Sequence, residues 1–270
     1  MADRRDDPLA QKMTYLGWSG FQFNVSENCH IFVDPPKGTV FSEKADIIIF
    51  ITHGHPEHLG GTYDHVRTAG QGRDTTIIAS RVVSGYLAKK CRREGVNFIT
   101  VKAGQKSTLP PDIAFEVFSW RHMPLLPPGF GAAVRHMVHI LRGLPLAWRI
   151  IRMSLAGPRG AGDMLGYLLR LPGDRNIIIY GEGLHRHTHI GDVRAIGRIA
   201  PGATLLVATE PEDISALPGL VVASGAGRVI LYEPHRPWRD MFELPHADLP
   251  ALRKLLSDVG ISAGIAGTDK

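Results

Sequence analysis

The sequence predicts an α/β protein in which sheets are covered on their outer faces by helices. Three observations carry this prediction. Asp46–Ile51 is a nearly unbroken β-branched run, the pattern of a strand buried on both faces. Similar runs recur at Thr75–Ala79, Asn97–Val101, Ile113–Ser119, Asn176–Tyr180, Leu205–Ala208 and Arg228–Tyr232. Helical patterns lie between several of them, at Arg81–Glu94, Asp192–Ile199 and Leu249–Val259.

From Met13 the chain opens with short strands at Thr14–Trp18, Phe21–Val25 and His30–Asp34, punctuated by Gly17, Gly20 and Asn28. With the later runs this makes roughly nine strands. The first helix is amphipathic through Val82, Val83, Tyr86 and Leu87. Residues 125–162 break the rhythm. Pro127, Pro128 and Gly129 open the segment, and Gly157, Pro158 and Gly160 close it. Between them two helices are expected, Phe130–Arg142 and Pro145–Ala156, with Gly143 ending one and Pro145 starting the next. Arg135, His139, Arg142 and Arg149 fall near one face, and Val134, Met137, Val138, Leu141, Trp148 and Ile151 fill much of the remainder. The expectation is one domain over 1–270 with an amphipathic helical hairpin inserted at 125–162.

Of 270 residues, 44% are hydrophobic and 21% charged, an ordinary composition that excludes disorder, a collagen-like fibre and a disulfide scaffold. The formal charge is +5, and 125–162 holds five arginines with no acidic residue. The rest of the chain carries 26 residues of each sign, so the surplus is local and a diffuse nucleic-acid-binding surface is disfavoured. Two cysteines, Cys29 and Cys91, fit a reducing cytoplasm. The polar start, Met1 to Lys12, argues against a secretory signal, and no run of about 18 apolar residues predicts a membrane span.

The thirteen histidines are clustered. Thr52-His53-Gly54-His55-Pro56-Glu57-His58-Leu59-Gly60-Gly61 directly follows the buried strand, and offers four ligands in six residues at a strand-to-helix junction. A loop there turns imidazoles and a carboxylate inward, a donor set suited to Zn, Mn or Fe. An incidental polar turn is the plain alternative. The spacing favours a metal site.

This run resembles the His-x-His-x-Asp-His signature of the metallo-β-lactamase superfamily, with Glu57 where Asp is usual. Tyr15-Leu16-Gly17-Trp18-Ser19-Gly20-Phe21 and Ile31-Phe32-Val33-Asp34-Pro35 look like the first strands of that fold, most similar to the branch with L-ascorbate-6-phosphate lactonase and N-acylphosphatidylethanolamine phospholipase D. The resemblance implies a four-layer αββα sandwich with the hairpin inserted. It implies that Asp34 orients the histidine loop, that His122 in Phe118-Ser119-Trp120-Arg121-His122 supplies the next ligand, and that His235 in Tyr232-Glu233-Pro234-His235 supplies the last. Glu182, in Tyr180-Gly181-Glu182-Gly183, takes the place of a bridging aspartate. Two metal ions are then expected, Zn foremost with Mn or Fe open: His53, His55 and His122 on one, Glu57, His58 and His235 on the other, and Glu182 shared. His185, His187 and His189 follow Glu182 and can be read as substrate contacts, an accessory metal position or a solvated loop; His185 is the substrate-contact candidate.

A dinuclear centre generates a bridging hydroxide, polarises an ester and stabilises its leaving oxygen, with Glu57 also able to handle a proton. The expected activity is hydrolysis of an anionic, partly apolar ester, with phosphodiester ahead of lactone. Arg135, Arg142 and Arg149 would meet the anion, and Trp148 with its apolar neighbours an acyl chain, a peripheral membrane contact through 130–156, or a second copy. A lid that only buries its apolar face is the plain alternative. Two rival classes stand beside the hydrolase: an iron-dependent oxygenase on the same fold, and a non-enzymatic binding module with a structural metal.

Overall fold

A computed structural model describes residues 13–68, 74–122, 157–173 and 175–267. Sheet one contains, in spatial order, β1 (Met13–Gly17), β2 (Gly20–Ser26), β3 (Cys29–Val33), β4 (Asp46–Phe50), β5 (Thr75–Ala79) and β6 (Val96–Thr100). Sheet two runs β13 (Ser262–Ile265), β12 (Arg228–Tyr232), β11 (Thr204–Ala208), β10 (Arg175–Ile179), β9 (Leu165–Leu171), β8 (Ile113–Ser119) and β7 (Lys106–Leu109). Each sheet has an antiparallel part and a parallel part. The helices are α1 (Pro56–Arg67), α2 (Arg81–Ala88), α3 (Ile190–Ile199), α4 (Leu217–Ala223), α5 (Arg236–Met241) and α6 (Leu249–Asp258).

Alternation along the strands builds the layers. Phe21, Phe23, Ile31, Ile48 and Phe50 from sheet one meet Phe115, Tyr167, Ile177, Ile179 and Tyr232 from sheet two in one core between the sheets. The intervening residues face outward: Ile47 and Ile49 pack with Leu59, Val66, Val83 and Leu87 of α1 and α2. Leu205, Val207, Val229 and Leu231 pack with Val193, Leu217, Leu220, Leu252 and Leu256 of α3, α4 and α6. Strands buried on both faces need apolar residues at every position, which explains the unbroken runs. The result is a four-layer αββα sandwich.

This topology brings the site residues together. β8, β10, β11 and β12 run in one direction, since β8 and β10 are each antiparallel to β9 and the later pairs are parallel. Their C-terminal ends therefore open at one edge, and His122, Glu182, Glu210 and His235 follow them. The parallel pair β3 and β4 delivers Asp34 and His53 in the same way. Two bonds tie the sheets at this edge: Leu165 N–H donates to the Thr52 carbonyl at 2.9 Å, and the buried Tyr167 hydroxyl donates to the Ile51 carbonyl at 2.7 Å.

Several expectations change. The helix expected over Arg81–Glu94 stops at Ala88, because the chain turns so that the Arg92 and Arg93 amides can donate to the Val66 carbonyl at the end of α1. Thirteen strands are described, and β7, β9 and β13 have no counterpart among the expected runs. Leu165–Leu171 is apolar without a two-residue alternation, while β7 and β13 are four-residue edge strands. The hairpin positions Arg135, Arg142, Trp148 and Arg149 lie outside the described residues. The described end of that segment returns beside the histidine loop, where the Ala161 carbonyl accepts from the Gly54 amide at 2.7 Å.

Candidate metal centre

The histidine loop leaves β4 in extended form and enters α1 through His55 as N-cap and Pro56 in the first turn. Asp34 organises it from below. This aspartate sits at the end of β3 in the left-handed region, φ 43°, and is almost fully buried. Its Oδ1 accepts from the Thr52 amide at 2.8 Å, and its Oδ2 accepts from the Thr52 hydroxyl at 2.6 Å and from His58 Nδ1 at 2.8 Å. Because the single hydroxyl proton of Thr52 goes to Asp34, its oxygen accepts from His53 Nδ1 at 3.0 Å. One carboxylate thus fixes Nδ1 as the donor on two histidines and leaves Nε2 of each to face the site. α1 can lie close enough only because it carries glycine: a Cβ at Gly61 would stand 2.6 Å from the Pro36 carbonyl oxygen and 2.8 Å from that of Pro35.

Glu182 follows β10 between two glycines, and Trp120 explains both. A Cβ on Gly181, which has φ 60°, or on Gly183 would come within 3.0 Å of the indole. Trp120 also donates Nε1–H to the Leu165 carbonyl at 2.8 Å, stacks on His122 and meets His53 edge-on. It is the wall against which the ligand candidates are set. The Glu182 carboxylate then reaches between two groups of histidines. Its Oε1 lies 3.3 Å from Ser19 Oγ, which donates to it, 3.1 Å from His58 Nε2 and 3.4 Å from His235 Nε2. Its Oε2 lies 3.6 Å from His122 Nε2 and is buried with no hydrogen bond among the described residues.

On the other flank, His53 Nε2 and His55 Nδ1 are 2.9 Å apart, and the His55 and His122 rings are 5.1 Å apart. Two donor sets result, each with its ligand atoms within 4.8 Å of one another: His53, His55 and His122, and His53, His58 and Glu182. Two expected ligands belong to neither set: Glu57, in the first turn of α1, comes to 3.8 Å from His55 Nδ1, and His235 reaches the second set only through Glu182 Oε1. Imidazole nitrogens and carboxylate oxygens of this kind suit Zn, Mn or Fe. The buried, unbonded Glu182 Oε2 is where a cation would satisfy the chain, so the residues present fit a metal centre.

Electrostatics divide the cluster. Burial lowers His53 well below the usual imidazole value, reinforced by His58, and burial lowers His55 as well. Burial also opposes charge on His58 and His235, but carboxylates overcome it. Asp34 and Glu182 raise His58 well above its ordinary value, and Glu182 and Glu210 raise His235 to about 9. For Glu182 burial alone would raise the carboxyl, yet His235 and His58 hold it well below the usual range. Around Glu182 the fold demands positive charge.

Ser19, Trp120, Glu210 and Arg239 join the site although no sequence motif marks them as functional. Ser19 lies in the Tyr15–Phe21 stretch and Trp120 two residues before His122, while Glu210 follows an apolar run beside the one that delivers His235. His185 turns out differently from its expected substrate contact. It is buried, its Nε2 donates to the Arg121 carbonyl at 2.9 Å, and its Nδ1 accepts from the His187 amide at 3.1 Å. With both nitrogens bonded to backbone, it braces the Glu182 loop against the His122 segment. His189 is exposed at the start of α3 and the His187 ring lies tilted against that of His185, so the three do not converge.

No family model matches the chain. A UPF0173 metal-dependent hydrolase of Alkaliphilus metalliredigens is 35% identical over 103 residues, 36% of this chain and 42% of that protein. Another, of Oenococcus oeni, is 32% identical over 100 residues, 32% of this chain and 41% of that protein. Each match therefore spans less than half of the relative's length. Among solved structures, the metallo-beta-lactamase fold protein YhfI from Bacillus subtilis superposes with a TM-score of 0.59 at 15% identity, covering 96% of this chain and 97% of that one. Zn(2+)-bound PqqB from Methylobacterium extorquens gives 0.53 at 12% identity over 92% and 85% of the two chains. With the layers and strand order described above, the chain has the metallo-β-lactamase fold.

Proposed function

We propose that this protein is a metal-dependent hydrolase that holds two divalent cations, Zn foremost, with Glu182 shared between them. The observation that carries the reading is Glu182 itself, whose Oε1 faces His58 and His235 while its Oε2 faces His122. His53, His55 and His122 would hold one cation, and His58 and His235 the other, with Glu57 at its edge. The partial matches to proteins named metal-dependent hydrolases support the same reading. When bound, such a pair supplies hydroxide from water at neutral pH and polarises the attacked ester.

The chain's own residues do the rest. Asp34 and Thr52 hold the imidazoles in the tautomers that present Nε2, and Trp120 keeps water from the rear of His53 and His122. Glu57, on the first turn of α1 beside His55, would hand a proton to the departing oxygen. The substrate class is an anionic, partly apolar ester, phosphodiester before lactone. The segment bearing Arg135, Arg142, Arg149 and Trp148 leaves the described structure just after His122. It re-enters at Gly157, where a Cβ would stand 3.2 Å from the Gly54 carbonyl oxygen. Both ends of that segment thus adjoin the candidate centre, which supports arginine contact with the anion.

The test is turnover of bis-p-nitrophenyl phosphate, phospholipids and lactones by protein stripped of metal and reloaded with Zn, Mn or Fe. Metal-dependent hydrolysis of a phosphodiester is expected. Absence of turnover on every ester with every metal would overturn the reading. Replacing Arg135, Arg142 and Arg149 together with Gln should weaken turnover of anionic esters while sparing metal content.

A further inference from the structure

The far side of His235 is held by a carboxylate that is itself paired with a buried arginine. β11 and β12 are neighbouring parallel strands with Ala208 opposite Tyr232, so Glu210 and His235 leave the sheet side by side. His235 then caps α5, and Arg239, four residues on, lies one turn along the same face and donates its amide to the His235 carbonyl at 2.9 Å. His235 Nδ1 donates to Glu210 Oε1 at 2.6 Å. Glu210 Oε2 accepts from Arg239 Nε at 2.9 Å and from an η-nitrogen of the same guanidinium. The other η-nitrogen donates to the Pro245 carbonyl at 2.8 Å, and Glu212 adds a contact at 3.1 Å. Glu210 and Arg239 are both buried.

We propose that Glu210 and Arg239 are a positioning pair that sets His235 as a metal ligand, and that affinity at the position shared by His58, Glu182 and His235 depends on them. The inference rests on the metal-centre reading above. Its physical content is threefold. The Glu210 carboxylate can only accept, so the Nδ1 proton is fixed and Nε2 is the nitrogen that faces Glu182, 3.4 Å away. Two donors of the planar guanidinium fork converge on Glu210 Oε2 while Oε1 accepts from His235, so the carboxylate is held between Arg239 and the imidazole. Arg239 also balances the Glu210 charge, so this buried carboxylate does not stand as a second uncompensated anion beside Glu182.

Co(II) titration of the metal-free protein, followed by visible absorption and equilibrium dialysis, tests the pair without reference to turnover. The wild type should take up two equivalents. Glu210→Gln, which keeps an acceptor but loses the charge, should retain one equivalent at wild-type affinity and weaken the other about 10–100-fold, with altered absorption bands. Arg239→Lys keeps charge without the fork and should fall between, while Arg239→Met should match Glu210→Gln. Thermal melting of each metal-free variant accompanies the titration. If the wild type binds two equivalents and both Glu210→Gln and Arg239→Met bind two with unchanged affinity and spectrum, the positioning proposal is wrong. Equal weakening of both equivalents alongside a lowered melting temperature would show a general structural role and would equally overturn it. A wild type that binds no Co(II) would instead sink the metal-centre reading.

Discussion

Asp34 shows how much one buried side chain decides at the residue scale. Its two oxygens serve the Thr52 amide, the Thr52 hydroxyl and His58 Nδ1. Asp34→Asn is a clean probe, because asparagine tolerates φ 43° and Oδ1 can still accept from the Thr52 amide. The amide nitrogen would then face the Thr52 hydroxyl and the His58 Nδ1 proton, and both would lose their acceptor. Metal affinity should fall about 10–100-fold while the melting transition stays cooperative; a chelator-competition assay giving the wild-type affinity would contradict this. The role of Asp34 was legible because it sits in a recognisable stretch with Pro35. Glu210 was not, since a lone Glu after an apolar run looks like any strand end until its neighbour strand is known. His185 misled for the same reason: alternating histidines carry no record of which backbone groups will claim their nitrogens.

At the scale of single elements, α1 links the candidate centre to the rest of sheet one. Gly61→Ala should improve helix propensity by up to about 1 kcal/mol, yet its Cβ would meet the backbone oxygens of Pro35 and Pro36 at 2.8 and 2.6 Å. The clash is with backbone, so the net effect should be destabilising, with His58 displaced and metal affinity lowered. Gly85→Ala, on the exposed face of α2, meets nothing within 4 Å and should raise stability by about 0.5–1 kcal/mol. Denaturant melts of the two variants moving in the same direction would contradict this account. His65, near the end of α1, provides a pH test. Burial, aided by Arg93, lowers it to about 4, and its ring packs on Phe41 and bonds Thr75 Oγ1 at 3.0 Å. The folded state keeps this imidazole neutral while the unfolded chain protonates it near its ordinary 6.5. Its contribution is therefore complete above about 6.5 and is lost progressively as pH falls toward about 4. His65→Gln should flatten the stability profile in that window; a profile identical to wild type would refute the assignment. Strand Thr75–Ala79 beside it was read from sequence with its observed bounds, because a short β-branched run has few alternatives. β9, with Leu at four of seven positions and no alternation, has a helical alternative that only its pairing with β8 and β10 removes.

For the whole molecule, the decisive arrangement is that the candidate ligands come from both sheets. His53, His55 and His58 follow β4 of sheet one, whereas His122, Glu182 and His235 follow β8, β10 and β12 of sheet two. Apart from metal, the bonds across this edge among the described residues include Leu165–Thr52, Gly54–Ala161, Tyr167–Ile51 and the contacts of Glu182 with His58 and Ser19. A cation held here would act as a cross-link between sheets, and the unfolded chain offers no such preformed set. Binding then adds folding free energy by mass action, about 2.7 kcal/mol at a hundred times the dissociation constant. For a chain of this size that corresponds to a rise in melting temperature of about 5–10 °C. EDTA should remove the increment, and added Zn should restore it. In hydrogen exchange, the amides of Gly54 and Leu165, which bond across this edge, should lose protection with metal removal more than those of β2 and β3. His55→Ala should reduce the EDTA effect because it removes a ligand from one donor set while leaving the sheet contacts in place. Melting temperatures that do not respond to EDTA or Zn would mean that the two sheets meet without a metal, and that the histidine cluster has some other use.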